Sequence, residues 1–135
     1  MKILIHTDGG SRGNPGKAAV GVVIEGVGKE PIRIGKKIGI KTNNEAEYLA
    51  VFTALEEIVA RRIAGIDSIE CVMDSLLVVS QLSGTFKIKQ AHLKALLDSV
   101  KRLEKAIGVP ISYRHVMREN NKEADKLVNE ALDKS

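Results

Sequence analysis

The chain has 135 residues, a hydrophobic content of 44% and a net charge of +4 at neutral pH. Domains most often have about 100–150 residues, so we expect residues 1–135 to form a single domain with a substantial core. Cys71 is the only cysteine, which excludes an intrachain disulfide, and no apolar stretch approaches the ~20 residues of a membrane span. The net positive charge fits a polyanionic partner but does not by itself require one.

The first residues, Met1 to Ile5, lack the apolar segment and small-residue cleavage site of a secretory leader. The lone cysteine lies in the apolar run 69–73, where a core strand is expected. We therefore expect a cytoplasmic protein in a reducing compartment. The sequence indicates neither a membrane partner nor an obligate protein partner, and we expect a monomer.

Short apolar runs bounded by turn residues predict five strands, over residues 2–8, 18–25, 32–40, 69–74 and 111–117. Short connections join the first three, which is typical of an antiparallel meander. Helical spacing predicts a long helix that opens at a capping box, Thr42-Asn43-Asn44-Glu45, and ends before Gly65. Three further helices are predicted over residues 76–82, 90–106 and 121–133. This order indicates an α/β domain with a mixed five-stranded sheet flanked by helices.

Two acids, Asp8 and Asp74, stand where an apolar strand gives way to polar residues. Asp8 is followed by a glycine-rich segment and could simply cap the N–H groups of a turn. For Asp74 the alternative is a helix N-cap, a role that Ser75 could equally fill. Ligand sites in open α/β sheets usually lie at the carboxyl ends of strands, so two acids in that position favour a functional site.

Two more acids lie on predicted helices. Glu47 shares a helical face with Ala50, Val51 and Ala54. Unlike Glu45, which completes the capping box, Glu47 has no role in capping the helix. The alternative for Glu47 is an ion pair with a neighbouring lysine or arginine. Asp125 lies at the border of the apolar face of the last helix, where an ordinary solvated charge is the alternative.

Carboxylates that converge on one site repel one another and raise one another's pKa unless cations neutralise them. A hard, oxygen-rich site without histidine or cysteine suits Mg²⁺ or Mn²⁺. Two such ions about 4 Å apart can activate a water and stabilise the leaving oxygen in phosphodiester hydrolysis. The net positive charge would then serve a nucleic-acid substrate.

Four segments, in this order and spacing, give the chain a specific resemblance to a known family over almost its whole length. They are residues 8–16 (DGGSRGNPG), 42–50 (TNNEAEYLA), 73–75 (MDS) and 121–127 (NKEADKL). The chain resembles type 1 ribonuclease H. The resemblance implies a ribonuclease H-like sheet of strand order 3-2-1-4-5 and an endoribonuclease that acts on the RNA strand of RNA/DNA hybrids.

The resemblance also implies roles for individual residues. Asp8 and Asp125 would hold one Mg²⁺, and Asp8, Glu47 and Asp74 a second, with Mn²⁺ as a possible substitute; the products would carry 5′-phosphate and 3′-hydroxyl ends. The backbone of a turn over Gly9, Gly10 and Ser11 would contact RNA 2′-hydroxyls. Three side chains would read the minor groove of the hybrid: Asn14, Asn43 and Asn44. All three could also be ordinary turn and cap residues.

The chain departs from the family pattern at three places. Leu76 replaces the usual glutamine two residues after the third acid. The segment 83–92 is short where some members carry a long basic protrusion, and Lys87 and Lys89 are expected to substitute in part, unless they form a solvated edge. The loop histidine of several members has no counterpart, because His115 is predicted inside a strand; we expect Arg118 to take its role.

Two other functions stay open on the sequence alone. One is a catalytically silent module of the same fold that binds RNA or RNA/DNA hybrids. The other is a nuclease of the wider superfamily that acts on DNA. The complete set of four acids argues against the first, and the asparagines expected to read an RNA strand argue against the second.

Overall fold

The computed structural model describes residues 1–134, in which five strands form one mixed sheet with helices on both faces. The strands are β1 Lys2–Gly13, β2 Gly16–Glu25, β3 Ile32–Lys41, β4 Ser68–Met73 and β5 Ile111–His115. Their order in the sheet is β3-β2-β1-β4-β5. The first three strands pair antiparallel, whereas β4 and β5 run parallel to β1. The predicted fold class and strand order are confirmed.

Four α-helices and one short 3₁₀ helix make up the rest of the described secondary structure. They are α1 Asn43–Ala60, α2 Leu76–Leu82, α3 Ala91–Ile107, α4 Lys122–Asp133 and the 3₁₀ helix Arg118–Asn120. The capping box of α1 is confirmed: Thr42 Oγ1 accepts from the Glu45 backbone N–H at 3.2 Å, and Glu45 Oε1 accepts from the Thr42 N–H at 2.9 Å. Within residues 1–134, none of these helices is both long and apolar enough to cross a bilayer.

The main core lies between one face of the sheet and helices α1 and α3. Alternate residues of β1, such as Ile3 and Ile5, point to this face and are fully buried beneath α1. Helix α4 covers the opposite face, mainly over β2, where a smaller apolar cluster forms. The sheet thus carries helices on both sides, and residues of β1 that alternate with the core positions face α4.

Strand β1 is longer than predicted, and this corrects the interpretation of residues 9–11. The predicted turn over residues 9–11 does not exist, because Gly9, Gly10 and Ser11 continue as strand, paired with residues 20, 19 and 18 of β2. The turn comes later, between Gly13 and Gly16. Glycine content suggested a break, but the antiparallel pairing with β2 supplies enough backbone hydrogen bonds to keep these residues extended.

Strand β5 is shorter than predicted and ends at His115 rather than at residue 117. Its partner β4 ends at Met73, which pairs with His115, so β5 has no further neighbour to pair with. The last contact is the Val116 N–H, which donates to the Met73 backbone oxygen at 2.9 Å. Met117 then precedes the 3₁₀ helix.

Candidate active site

Asp8 and Asp74 lie side by side at the end of the cleft where the β1–β4 pairing stops. The pairing of β1 with β4 ends at His6 and Val72, so each acid stands two residues beyond the last pair. β1 continues past this point along β2, whereas β4 ends and the chain turns into α2. Ser75, not Asp74, is the N-cap of α2, since its Oγ accepts from the Val78 N–H at 3.2 Å. Asp74 is therefore not needed to cap the helix.

Glu47 reaches the same place because α1 packs unusually close to β1. A side chain at Gly9 would overlap the backbone oxygen of Ala46, so only glycine permits this approach. Ala46 directly precedes Glu47 in α1, so the same close packing brings Glu47 to the cleft beside Asp8. The predicted burial of the Glu47 helical face is confirmed, with Ala50, Val51 and Ala54 fully buried.

Asp125 is brought in by α4 from the opposite face of the sheet. Gly21 pairs with Asp8 across the β1–β2 ladder, and a side chain at Gly21 would overlap the backbone oxygen of Ala124. The close approach of α4 places Asp125 beside Asp8. Two glycines, one next to Asp8 in the chain and one opposite it in the sheet, therefore let two helices converge on this carboxylate.

The four acids line one cleft of about 290 Å³. The same cleft is lined by several other residues proposed from the sequence: Gly9, Gly10, Ser11, Asn43 and Arg118. Arg12 and Asn129 also line it and were not proposed. Arg12 forms an ion pair with Asp133 at 2.6 Å, so its charge is already partly matched.

Burial and carboxylate crowding raise the pKa of Asp8 from 3.8 to about 8. Desolvation is the largest cause, followed by the charges of Asp74 and Asp125, a hydrogen bond with the Asp125 carboxyl, and the charge of Glu47. All three other acids thus act on Asp8, which places it at the electrostatic centre of the cleft. In the protein without a cation, Asp8 therefore keeps its proton to a much higher pH than a free carboxyl group does.

Burial likewise raises the pKa of Glu47 from 4.5 to about 7. A hydrogen bond from the Ser75 side chain lowers it, and the charge of Asp74 raises it further. Ser75 therefore serves both as the N-cap of α2 and as a partner of Glu47. The sequence suggested only the first role, because nothing in it shows that α1 and the start of α2 meet.

The chemistry of this donor set fits hard divalent cations. Several carboxylates, two of them with raised pKa, face a cleft in which histidine and cysteine do not take part. In residues 1–134, however, no three carboxylate, imidazole or thiolate side chains are already arranged to hold an ion by themselves. Mg²⁺ is usually held by one or two carboxylates, with waters and substrate phosphate oxygens as the other ligands. The acids suit such open coordination better than a closed protein cage.

Arg118 and His115 occupy different sides of the sheet. Arg118 lies in the cleft, with Nη2 3.5 Å from Asp125 Oδ1, and its side chain is 76% exposed. His115 pairs with Met73, a buried residue of the main core, so its side chain faces α2 rather than α4. Of these two candidates near the end of β5, Arg118 is the one at the cleft.

The proposed nucleic-acid contacts form a surface that continues from the cleft. Asn14 Oδ1 accepts from the Asn43 N–H at 3.0 Å, and Asn43 Oδ1 accepts from the Ser11 N–H and hydroxyl at 3.0 and 3.1 Å. These bonds tie the β1–β2 hairpin to the start of α1. Asn43 lines both the acidic cleft and a second hollow that also contains Asn14 and Asn44.

Lys87 and Lys89 lie beyond this second hollow and do not line the acidic cleft. They line a third hollow together with Asn44 and Gln90, and these two residues also line the second. A continuous path therefore leads from the acids through the asparagines to the lysines. Gln90 and His92, at the start of α3, belong to this path. They were not proposed from the sequence, where they look like ordinary helix-start residues.

These features together define a ribonuclease H-like domain. The mixed sheet has the strand order 3-2-1-4-5 with helices on both faces, and four carboxylates meet where the β1–β4 pairing ends. A family model described as reverse transcriptase-like matches residues 6–131. The crystal structure of RNase H1 from the halophilic archaeon Halobacterium salinarum superimposes with a TM-score of 0.90, at 40% identity over the whole of both chains. LC11-RNase H1 in complex with an RNA/DNA hybrid gives a TM-score of 0.89 at 38% identity, over 97% of this chain and 96% of that one.

Among curated proteins, Ribonuclease HI of Halobacterium salinarum is 42% identical over 134 residues, and the bifunctional protein Rv2228c of Mycobacterium tuberculosis is 38% identical over 135. Each match covers 98% of this chain, which spans 65% of the first relative and 36% of the second. The chain belongs to the type 1 ribonuclease H family.

Proposed function

We propose that this domain is an endoribonuclease that hydrolyses the RNA strand of RNA/DNA hybrids and leaves 5′-phosphate and 3′-hydroxyl ends. The proposal depends chiefly on one observation, the convergence of four carboxylates from β1, α1, α4 and the end of β4 on one cleft. The substrate class is supported by LC11-RNase H1, which is described in complex with such a hybrid. It is also supported by the polar path that extends from the cleft.

The four acids would hold two Mg²⁺ ions, for which Mn²⁺ would substitute, since the ribonuclease H family uses divalent metal ions. Asp8 and Asp125 would hold one ion, and Asp8, Glu47 and Asp74 the other. When bound, the pair supplies an activated water nucleophile and stabilises the charge that develops on the leaving 3′-oxygen. Asp8 must release its proton before its carboxylate can serve as a ligand.

Other residues of the chain would bind and orient the substrate. An arginine side chain does not act as a general base at neutral pH, but the Arg118 guanidinium can hold a phosphate or assist release of the product. Its single contact with Asp125 is long and exposed, so the side chain can turn to a phosphate at little cost. The strand backbone over Gly9, Gly10 and Ser11 would face RNA 2′-hydroxyls.

The asparagines Asn14, Asn43 and Asn44 would contact the minor groove next to the cleft. Lys87 and Lys89 would neutralise phosphates at the far end of the path. This division of roles between the asparagines and the lysines follows a general pattern, in which cationic side chains supply affinity and amide side chains supply recognition.

The test is cleavage of end-labelled RNA/DNA hybrid, duplex RNA and duplex DNA by the wild-type protein, by Asp8→Asn and by Asp98→Asn. Asp98 is an exposed acid on α3 that takes no part in the cleft, so its variant controls for the loss of one negative charge. We expect Mg²⁺- or Mn²⁺-dependent cutting of the RNA strand of the hybrid by the wild type and by Asp98→Asn, and none by Asp8→Asn.

Product ends and substrate choice separate this proposal from its rivals. A 2′,3′-cyclic product, or activity that persists in excess chelator, would rule out the proposed chemistry. Hybrid binding without cleavage under every metal condition would identify a silent binding module. Preferential cutting of duplex DNA would identify a DNA nuclease of the same superfamily.

A further inference from the structure

Asn121 stands at the N-terminus of α4, but its side chain does not cap the helix. It is 2% exposed, and its Nδ2 donates to the backbone oxygen of Thr7 at 2.8 Å. The opposite orientation of the amide would place two oxygens against each other. Its Oδ1 is buried and has no hydrogen-bond partner among residues 1–134, the one such side-chain atom in that range.

An unpaired buried amide oxygen is unfavourable for folding. An apolar residue of similar size would remove this unpaired oxygen, but it would also remove the hydrogen-bond donor to the Thr7 backbone oxygen. The asparagine is therefore explained better by what its one hydrogen bond does than by its contribution to packing.

That bond connects the two parts of the chain that carry Asp8 and Asp125. Thr7 precedes Asp8 and lies one residue beyond the last β1–β4 pair, where the neighbouring strand no longer supports β1. The backbone oxygen of Asn121 accepts from the Asp125 N–H at 3.2 Å in the first turn of α4. The Asn121 side chain thus contacts the backbone of Thr7, next to Asp8, and the Asn121 main chain contacts the backbone of Asp125.

We propose that Asn121 is a positioning residue, which sets the separation of Asp8 and Asp125 by holding the first turn of α4 on β1, so that the two carboxylates can share one divalent cation. Without this bond α4 keeps its apolar contacts with Ala19 and β2, but its first turn can shift relative to β1. The inference rests on the proposed function, because it assumes that the pair binds a cation.

The test uses Asn121→Leu, which is close to asparagine in size and removes both the donor and the unpaired oxygen. Asn120→Leu is the matched control, since Asn120 is an exposed neighbour in the 3₁₀ helix. Binding of Mn²⁺ to each protein is measured by electron paramagnetic resonance without nucleic acid, and hybrid cleavage is measured separately. For Asn121→Leu we expect Mn²⁺ affinity at least fivefold weaker, kcat at least tenfold lower and KM for the hybrid within twofold of wild type.

A merely structural role gives a different result, namely a lower Tm with unchanged Mn²⁺ affinity in the folded fraction. That result, or wild-type affinity and kcat in Asn121→Leu, would overturn the inference. If Asn121→Leu does not fold, the same measurements on Asn121→Ser, which keeps a hydroxyl donor, and Asn121→Ala decide: the serine variant must bind Mn²⁺ more tightly than the alanine variant.

The two hypotheses fail in different ways. A wild-type protein that binds no Mn²⁺ and cuts no hybrid refutes the proposed function and the Asn121 inference together. A wild-type protein that does both, with an Asn121→Leu variant that matches it, refutes the Asn121 inference alone.

Discussion

Replacing Asp8 by asparagine should stabilise the cation-free protein at alkaline pH while it abolishes cleavage. Burial and three neighbouring carboxylates raise the pKa of Asp8 from 3.8 to about 8, so the native protein keeps a proton that the unfolded chain releases at much lower pH. The free energy of unfolding therefore falls as the pH rises from about 4 to about 8. The asparagine side chain carries no charge at any pH, so the Asp8→Asn variant would be free of this loss.

The size of the effect follows from the pKa difference. Each pKa unit corresponds to about 1.4 kcal/mol, so a rise from 3.8 to about 8 sets an upper bound of about 6 kcal/mol. The carboxylates can move apart and water can enter the cleft, which lowers the penalty, and we expect about 2 kcal/mol. For a domain of this size that corresponds to a Tm about 8 °C higher in Asp8→Asn than in wild type.

The assay is thermal unfolding in chelator at pH 5, 6, 7 and 8, repeated with Mg²⁺. The Tm difference between Asp8→Asn and wild type should be smallest at pH 5, which is only about one unit above the pKa of Asp8 in the unfolded chain, and should grow towards pH 8. Saturating Mg²⁺ should stabilise the wild type and leave the variant little changed. A difference that does not depend on pH, or a variant less stable than wild type at pH 8, would refute the electrostatic account of the cleft.

Five further variants test three neighbouring assignments. Glu45→Gln should lower kcat less than twofold and cost ~1 kcal/mol or less in denaturant unfolding, because Glu45 caps α1; a catalytic loss like that of Asp8→Asn would mean that the wrong glutamate was assigned. Lys87→Ala and Lys89→Ala should each flatten the salt dependence of hybrid binding by up to about 0.9 in log–log slope, and unchanged slopes would assign both to a solvated edge. Arg118→Ala should reduce turnover more than His115→Ala with a native-like Tm, and the reverse ranking would return the role to the histidine.

Much of the architecture could be predicted because local signals and the fold agree. The Thr42–Glu45 capping box fixed the start of α1 at the observed place, and apolar periodicity located α2 and α4 to within a residue. The local sequence was a poorer guide to structure where contacts between distant residues decide the conformation. Gly9 and Gly10 suggested a turn, yet pairing with β2 keeps them extended.

The sequence predicts that four acids meet in one site, but it does not predict the contacts that hold these acids in place. Asp8 and Glu47 stood out because each is a charge in an apolar context. Nothing in the local pattern shows that Ser75 contacts Glu47, that Asn121 binds the Thr7 backbone, or that the start of α3 borders the path from the acids to the lysines. These contacts join residues far apart in the chain, so they depend on how the helices pack rather than on any local signal.

The fold explains how so much negative charge can be held in one cleft. Each acid lies on or directly after a different element, and the apolar cores on the two faces of the sheet keep those elements in place. Gly9 and Gly21 let α1 and α4 approach β1 closely enough to crowd the carboxylates around Asp8. The repulsion that results is unfavourable in the free protein, and a divalent cation bound as proposed would relieve it. Part of the binding free energy of such a cation would therefore be built into the folded chain in advance, and it would be set by the packing of two helices against a strand.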